Sequence, residues 1–324
     1  MKATARAHPI QGLIKYHGLA DFETRQPLHD SISVCVAPLA TTTTVEPVDG
    51  EDEIEIDDVQ VTGRAKERAV QVLDGVRARA DTETGFRVVS RSTFPQGVGL
   101  GSSSSGFAAL AHAAQAALGL DLPRTETARI ARVGAGSATR ATAGGVADWF
   151  IEDTDDGYDS TAEMMAGPQE LDWPVLMALV DHTEETENVH RDVMASPLIE
   201  GRRDYVEGAL ENMREAVDAG DRERMFRLAE RDTLSLHAVT MTGERGRFTW
   251  QPATVAVARA VWELRDEHDV PAWFSIDTGA TPYINTLPGH QDEVAESLVQ
   301  IDGVEKVLRG SVGGPVRLVD EDLL

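Results

Sequence analysis

Pro95-Gln96-Gly97-Val98-Gly99-Leu100-Gly101-Ser102-Ser103-Ser104-Ser105-Gly106 is followed without a break by Phe107-Ala108-Ala109-Leu110-Ala111-His112-Ala113-Ala114-Gln115-Ala116-Ala117-Leu118-Gly119. A glycine- and serine-rich turn therefore opens directly into an Ala/Leu helix that ends near Gly119. Residues 86–92, Phe-Arg-Val-Val-Ser-Arg-Ser, precede it as a strand. Glycines let a backbone approach a phosphate closely, and a helix N-terminus turns unpaired N–H groups and a positive dipole end towards it. Hydroxyls add donors or a magnesium ligand, with Ser102 the candidate. Phe107 stands where a Walker A loop requires Lys-Ser/Thr, and the Rossmann glycine spacing is missing too. A Gly/Ser linker is the plain alternative, but linkers do not normally run into a buried helix.

Upstream of this loop, 31–36, 41–46 and 86–92 are strand-like and rich in Val, Ile and Thr. The acidic run 49–58 alternates apolar with acidic residues, as a half-exposed strand does, and 62–80 places Ala65, Ala69, Val72, Leu73 and Val76 on one helical face. Downstream, strands are expected at 145–151 and 174–181, and helices at 202–218, 222–237 and 252–268. Strands return at 272–277, 282–287, 303–308 and 315–319, with a helix at 290–301. Without a regular β-α alternation this is an α+β chain of two lobes, 1–185 and 186–324. The boundary falls in 180–195, which has no clear period and reads as loop.

With 324 residues, 41% of them hydrophobic, the chain is long enough for a large core or two domains, so disorder is excluded as its main state. No apolar run reaches the roughly 18 residues of a membrane helix, and a signal-peptide core is missing, so a cytoplasmic protein is expected. Cys35, the single cysteine, cannot form an intramolecular disulfide or build a multi-thiolate metal site. The net charge of −25 argues against nucleic acid, whose recognition needs a basic face. Of the 30 basic residues only Lys2, Lys15, Lys66 and Lys306 are lysines. An acidic, lysine-poor surface suits a halophilic protein, because screening by concentrated salt removes the self-repulsion.

Four blocks, in order, resemble one family. Pro-x-x-x-Gly-Leu-Gly-Ser-Ser, spanning Pro95 to Ser103, is similar to the phosphate-binding motif of the GHMP kinase superfamily. The other three are similar to its mevalonate diphosphate decarboxylase branch. They are Ile14-Lys15-Tyr16-His17-Gly18 with Pro27-Leu28-His29-Asp30-Ser31-Ile32-Ser33-Val34, then Gly134-Ala135-Gly136-Ser137-Ala138-Thr139-Arg140 with Gly144-Gly145 and Asp148-Trp149, then Phe274-Ser275-Ile276-Asp277-Thr278-Gly279. The resemblance implies an N-terminal lobe like ribosomal protein S5 domain 2 and a ferredoxin-like C-terminal lobe, with ATP and Mg2+ between them. It also implies an ATP-binding set of Gly97, Gly99, Gly101, Ser102, Ser103 and Ser104, and a substrate set of Tyr16, His17, Gly18, Gly136, Ala138 and Thr139. Ser137 would be the hydroxyl beside the reacting groups.

The chemistry also follows from residue types. Decarboxylating a tertiary 3-hydroxy acid requires its hydroxyl to become a leaving group, which ATP achieves by phosphorylation. Such a site needs a base, a cation for the carboxylate and a phosphate cradle. Asp277, closing the apolar strand Ala-Trp-Phe-Ser-Ile, is the candidate base, against the plainer reading of an Asp that starts a turn. Lys15 lies in an apolar context in a chain nearly stripped of lysine, which disfavours a surface role; its ammonium can hold Asp277 ionised. The planar fork of Arg140 suits a carboxylate, although a structural salt bridge is the equal alternative. His29 and His17 also read as structural.

The chain departs from the branch at Leu19, where a cation is lost, and at 183–188, Thr-Glu-Glu-Thr-Glu-Asn, where carboxylates are gained. Both changes disfavour a diphosphate more than a monophosphate. The expected reaction is therefore decarboxylation of 5-phosphomevalonate to isopentenyl phosphate. Diphosphomevalonate decarboxylation, a mevalonate 3-kinase and a non-catalytic metabolite sensor stay open as alternatives. The ligand expected is a small phosphorylated mevalonate, and neither nucleic acid nor membrane; a homodimer is left open.

Overall fold

The computed structural model describes the chain except Gln96, residues 155–156 and residues 182–185; the side chains of 186–188 are also left out. The threonine-rich stretch becomes the strand Thr41–Val48, flanked by Ala3–Ala7 and Gly85–Ser92 in a six-stranded sheet. Thr41 to Thr44 are all buried, and their hydroxyls are matched across strands. Thr44 meets Thr4 at 2.8 Å, Thr43 meets Ser90 at 2.9 Å, and Thr41 meets Ser105 of the following helix at 2.7 Å. A row of threonines thus serves as core only because every hydroxyl has a partner. Val45, Phe86 and Val88 of this sheet pack with Val72, Leu73 and Val76 of the helix Gly63–Ala80. The helix Ser102–Ala117 adds Ala108, Ala109, Ala113 and Ala114, whose small side chains let it lie close.

A second, eight-stranded sheet runs from the hairpin Val146–Thr154 and Gly157–Ala166 through Ser31–Ala37 and Val304–Val312 to Val175–Val180, Pro282–Thr286 and Ala272–Ile276. Ile10–Ile14 pairs with Ser31–Ala37 beside this path. Helices Ile199–Asp218 and Arg222–Met241 share a core with Leu13, Ile14, Ile32 and Val34, so the N-terminal motif strand is packed against the C-terminal helices. Helices Pro252–His268 and Gln291–Val299 cover other residues of the strands, including Leu176, Phe274 and Ile284.

Three sequence expectations need correction. The run 49–58 is not one strand: Glu53–Ile56 and Val59–Gln60 form a hairpin turned by Asp57 and Asp58, with φ of 47° and 68°. Aspartates accept this left-handed pair better than most residues, and such pairs make two-residue hairpins. The serines lie inside the helix, which begins at Ser102 and not after Gly106. Ser104 and Ser105 hydroxyls donate back to the Gly101 and Ser102 carbonyls, at 2.6 Å and 3.3 Å, which accommodates them in a first turn. Part of 180–195 is helical, as Thr186–Asp192 followed by the 3-10 turn Val193–Ala195. Val189 and Val193, four residues apart and buried, carry the amphipathic signal there.

Candidate active site

One cavity gathers residues from all four sequence blocks. Ile10, Gly12, Lys15 and Tyr16 line it, as do Gly97, Gly99, Gly101, Ser102 and Ser103 of the loop, Ser137, Arg140, and Asp277 to Ala280. The loop is shaped by Gly97, Gly99 and Gly101 at φ of 78°, 79° and 68°, where a side chain is strained. At Gly101 a Cβ would also stand 3.0 Å from the Ile10 carbonyl. No side chain caps the helix at Gly101; the Ser104 N–H is taken by the Gly101 carbonyl at 2.9 Å, and Ser102 and Ser103 of the first turn lie on the cavity wall. The far wall holds the loop from outside: Thr281 Oγ1 donates to the Val98 carbonyl at 2.6 Å, and Tyr283 to that of Gly99 at 3.4 Å. Ser104 is not on the wall. Its hydroxyl is buried and accepts from the Ile10 N–H at 3.2 Å while donating to Gly101, so it fastens the loop to the strand Ile10–Ile14.

Asp277 follows the strand Ala272–Ile276, and its Oδ1 accepts from the Gly12 N–H at 3.0 Å. Gly12 was not legible as a site residue. A Cβ there would stand 2.6 Å from Lys15 Cγ and 2.8 Å from Asp277 Oδ1, so glycine is what allows the two side chains to meet over this strand. Burial pushes the Asp277 carboxyl up from its ordinary range, against the lowering influence of Lys15, the Gly12 N–H and Arg140. Lys15 is 4% exposed, and burial lowers its ammonium pKa, opposed by Asp232 and then by Asp277. Its nearest acid is thus Asp232, a residue no sequence motif marked, with Nζ 3.6 Å from Oδ2.

Arg140 is buried, yet it makes no ion pair among the described residues, which removes the structural salt bridge as its explanation. Its guanidinium donates to Ser31 Oγ at 2.9 Å and lies 5.1 Å and 5.2 Å from the ring centres of Tyr16 and Trp149. The Nε–H has no partner. A buried, cavity-lining cation without a carboxylate is suited to receive one. Burial lowers its pKa to about 10, which leaves it charged at neutral pH.

Of the expected substrate set, Tyr16 lines the cavity, edge-on to Trp149 and stacked on His190 with ring centres 4.8 Å apart. His17, Gly18, Gly136, Ala138 and Thr139 are not part of the wall. His17 is fully buried, with Nε2 3.1 Å from Thr240 Oγ1; Thr139 donates to the Gly136 carbonyl at 2.7 Å; and Ala138 is core. Gly136 instead makes room, since a Cβ would meet the Trp149 ring at 2.7 Å and the Tyr16 hydroxyl at 3.1 Å. His29 bonds the Asp30 carbonyl at 2.7 Å and is structural as read. His190 joins the wall from the helix Thr186–Asp192, in a segment whose sequence shows no clear period. Leu19 is buried in the short strand Leu19–Asp21 and is not on the wall; of the other departure, at 183–188, Thr183, Glu184 and Glu185 lie outside the described residues, as do the side chains of Thr186, Glu187 and Asn188.

No group of three or more His, Cys, Asp or Glu side chains suited to a metal occurs among the described residues. Ser102 and Ser103 both lie on the wall of this cavity. No helix among the described residues is long and apolar enough to cross a membrane.

The family described as diphosphomevalonate decarboxylase-like N-terminal domain matches residues 7–162. The phosphomevalonate decarboxylase of Haloferax volcanii is 46% identical, covering 99% of this chain and 98% of that protein. Among solved structures, mevalonate diphosphate decarboxylase from Staphylococcus aureus superposes with a TM-score of 0.91 at 25% identity, covering 98% of both chains. A second, solved in complex with MVAPP, AMPPCP and magnesium, gives 0.89 at 28% identity over 99% of both. With 98–99% of the chain covered by each of these three relatives, it belongs to the mevalonate diphosphate decarboxylase family of the GHMP kinase superfamily.

Proposed function

We propose that the chain decarboxylates (R)-5-phosphomevalonate at the expense of ATP, giving isopentenyl phosphate, CO2, ADP and phosphate. The observation that carries this reading is the convergence of Asp277, Lys15 and Arg140 with an uncapped, glycine-shaped helix end on one cavity. Asp277 takes the proton of the C3 hydroxyl as that oxygen accepts the terminal phosphoryl group of ATP, and ADP leaves. The C3–O bond then breaks with release of phosphate, and the electron pair of the C1–C2 bond becomes the new double bond as CO2 departs. Arg140 grips the carboxylate through its fork, with Ser137 beside it on the wall. Lys15 keeps Asp277 ionised and offsets charge on the transferred phosphoryl oxygens. Gly97, Gly99, Gly101, Ser102 and Ser103 cradle the nucleotide phosphates. A magnesium ion held by those phosphates and the Ser102 hydroxyl would supply further charge neutralisation.

The monophosphate substrate is supported by the Haloferax volcanii relative, while the names of the two solved structures favour a diphosphate. Leu19 gives no support to either, being away from the wall. Arg25, Arg64, Arg68 and Arg191 surround a neighbouring concavity, and Arg25 and Arg68 are close enough to influence Tyr16. Glu23 and Glu67 line the same concavity, so four arginines against two carboxylates leave it net basic, which in so acidic a chain suits the phosphate tail. The same reading keeps the two lobes at 1–185 and 186–324, with strands Val304–Val312 and Arg317–Leu318 returning to pair with the first. It also keeps the halophilic, cytoplasmic assignment. Incubation with ATP and 5-phosphomevalonate should release ADP, phosphate and CO2 in equal amounts. ADP without CO2 would identify an arrested kinase instead.

A further inference from the structure

A single turn of the helix Arg222–Met241 holds both Lys15 and the strand Ala272–Ile276 that leads into Asp277. Ala229, Asp232 and Thr233, three and four residues apart, share one face of that helix. Thr233 Oγ1 accepts from Lys15 Nζ at 3.0 Å and from the Ile276 N–H at 3.2 Å, while its own proton goes to the Ala229 carbonyl at 2.9 Å. Asp232 is fully buried. Its Oδ2 accepts from the Lys15 backbone N–H at 3.0 Å, and its Oδ1 accepts from Arg202 at 3.1 Å. Arg202 in turn donates to the Lys15 carbonyl at 2.8 Å. A buried ion pair therefore grips Lys15 by both sides of its backbone, and the acid of that pair also faces the ammonium. Buried pairs of this kind contribute little net stability compared with apolar residues of the same size, so stability alone does not account for one here.

We propose that Asp232 is a positioning residue for the reaction, fixing Lys15 opposite Asp277 with the help of Arg202 and Thr233. This rests on the functional reading above, in which Lys15 and Asp277 act together. Several groups face this place. They are Asp232 and His237 from the helix Arg222–Met241, Arg202 and Tyr205 from Ile199–Asp218, Arg140, Tyr16, His17 and His29 from the N-terminal half, and Asp277 and Tyr283 from the far wall. Asp232 opposes the effect of burial on Lys15, raising its pKa, and it raises that of Asp277 as well. Its removal therefore lowers both.

The chain's four lysines make this measurable without turnover. Competitive labelling with acetic anhydride, read for each lysine peptide by mass spectrometry across pH, gives the midpoint for Lys15, with Lys2, Lys66 and Lys306 as references. In Asp232→Asn the Lys15 midpoint should fall by at least one pH unit while the references stay. On 5-phosphomevalonate, kcat should fall at least tenfold with KM for ATP within twofold, and both limbs of the pH profile should move to lower pH. If Asp232→Asn does not fold, Thr233→Val should lower the Lys15 midpoint by at least half a unit and Thr233→Ser should restore it. An unmoved midpoint in a folded variant overturns the inference. Failure of the parent to decarboxylate would instead overturn the functional reading, and the labelling would still decide the position of Lys15.

Discussion

Gly12→Ala is a one-carbon change at the point where the proposed base and cation meet. The added methyl would lie 2.6 Å from Lys15 Cγ and 2.8 Å from Asp277 Oδ1, whereas ordinary contact begins near 3.4 Å. Lys15 must then retreat by about 0.8 Å and Asp277 by about 0.6 Å, or the strand Ile10–Ile14 must shift by as much. Misplacing a reacting group by about 1 Å costs on the order of 10²-fold in rate. The expected outcome is a fall in kcat of about 10- to 100-fold. Overpacking should lower stability by about 1–3 kcal/mol. The three atoms nearest that methyl all belong to Lys15 and Asp277 and none to the nucleotide loop, so KM for ATP should stay within about twofold. Gly208→Ala is the matched control: its Cβ meets nothing within 4 Å in the helix Ile199–Asp218, and it should stabilise by up to about 1 kcal/mol with kcat unchanged. The assay is steady-state ADP release with thermal melts on both variants. A folded Gly12→Ala protein with kcat within threefold of the parent would refute the pairing of Lys15 and Asp277 over this strand.

Arg140→Lys keeps the charge but loses the fork, so kcat/KM for 5-phosphomevalonate should fall about 10²-fold with KM for ATP unchanged; an equal loss towards ATP would remove Arg140 from the carboxylate. His17 and His237 are buried and neutral in the folded chain, with pKa lowered by burial, that of His237 to about 3. The unfolded chain therefore takes up these protons first, and stability is complete above about pH 6.5 and lost as pH falls below it. At pH 5.5 His237 should cost about 1.4 kcal/mol relative to pH 7.5 in urea unfolding, with His17 acting in the same direction. A flat profile over that range would contradict their neutral burial. Thermal midpoints should rise between 0.1 and 2 M potassium chloride, because salt shortens the screening length from about 10 Å at 0.1 M to about 3 Å at 1 M and relieves a net charge of −25. Falling midpoints would show that ion pairs such as those of Arg129 with Glu152 and Asp159 outweigh the repulsion.

What the sequence made legible was local. The loop from Gly97 to Ser103 needs backbone freedom and a helix start, and both are written in residue type. Asp277, Arg140 and Lys15 were visible because a charge in an apolar stretch demands a reason, and the structure brings all three to one cavity. Ser104 shows the limit: its neighbours line the wall, but the helical turn rotates it inwards to Ile10. Asp232, Gly12 and His190 are ordinary residues in sequence and gain significance only through contacts more than a hundred positions away, such as Lys15 with Asp232 and Gly18 with His190. The arginines at 25, 64, 68 and 191 are likewise scattered in the chain and grouped only by the fold. Leu19 itself proved to be core and not wall, so the argument drawn from it falls for the same reason, while the monophosphate substrate rests on the Haloferax volcanii relative.

The most direct test of the central claim is the ratio of kcat/KM for mevalonate, its 5-phosphate and its 5-diphosphate, measured by CO2 release at one high salt concentration. The 5-phosphate should be preferred over the 5-diphosphate by at least tenfold, with mevalonate far poorer than either and one CO2 for each ADP. Preference for the 5-diphosphate, or ADP formation from any of the three without CO2, would contradict the account.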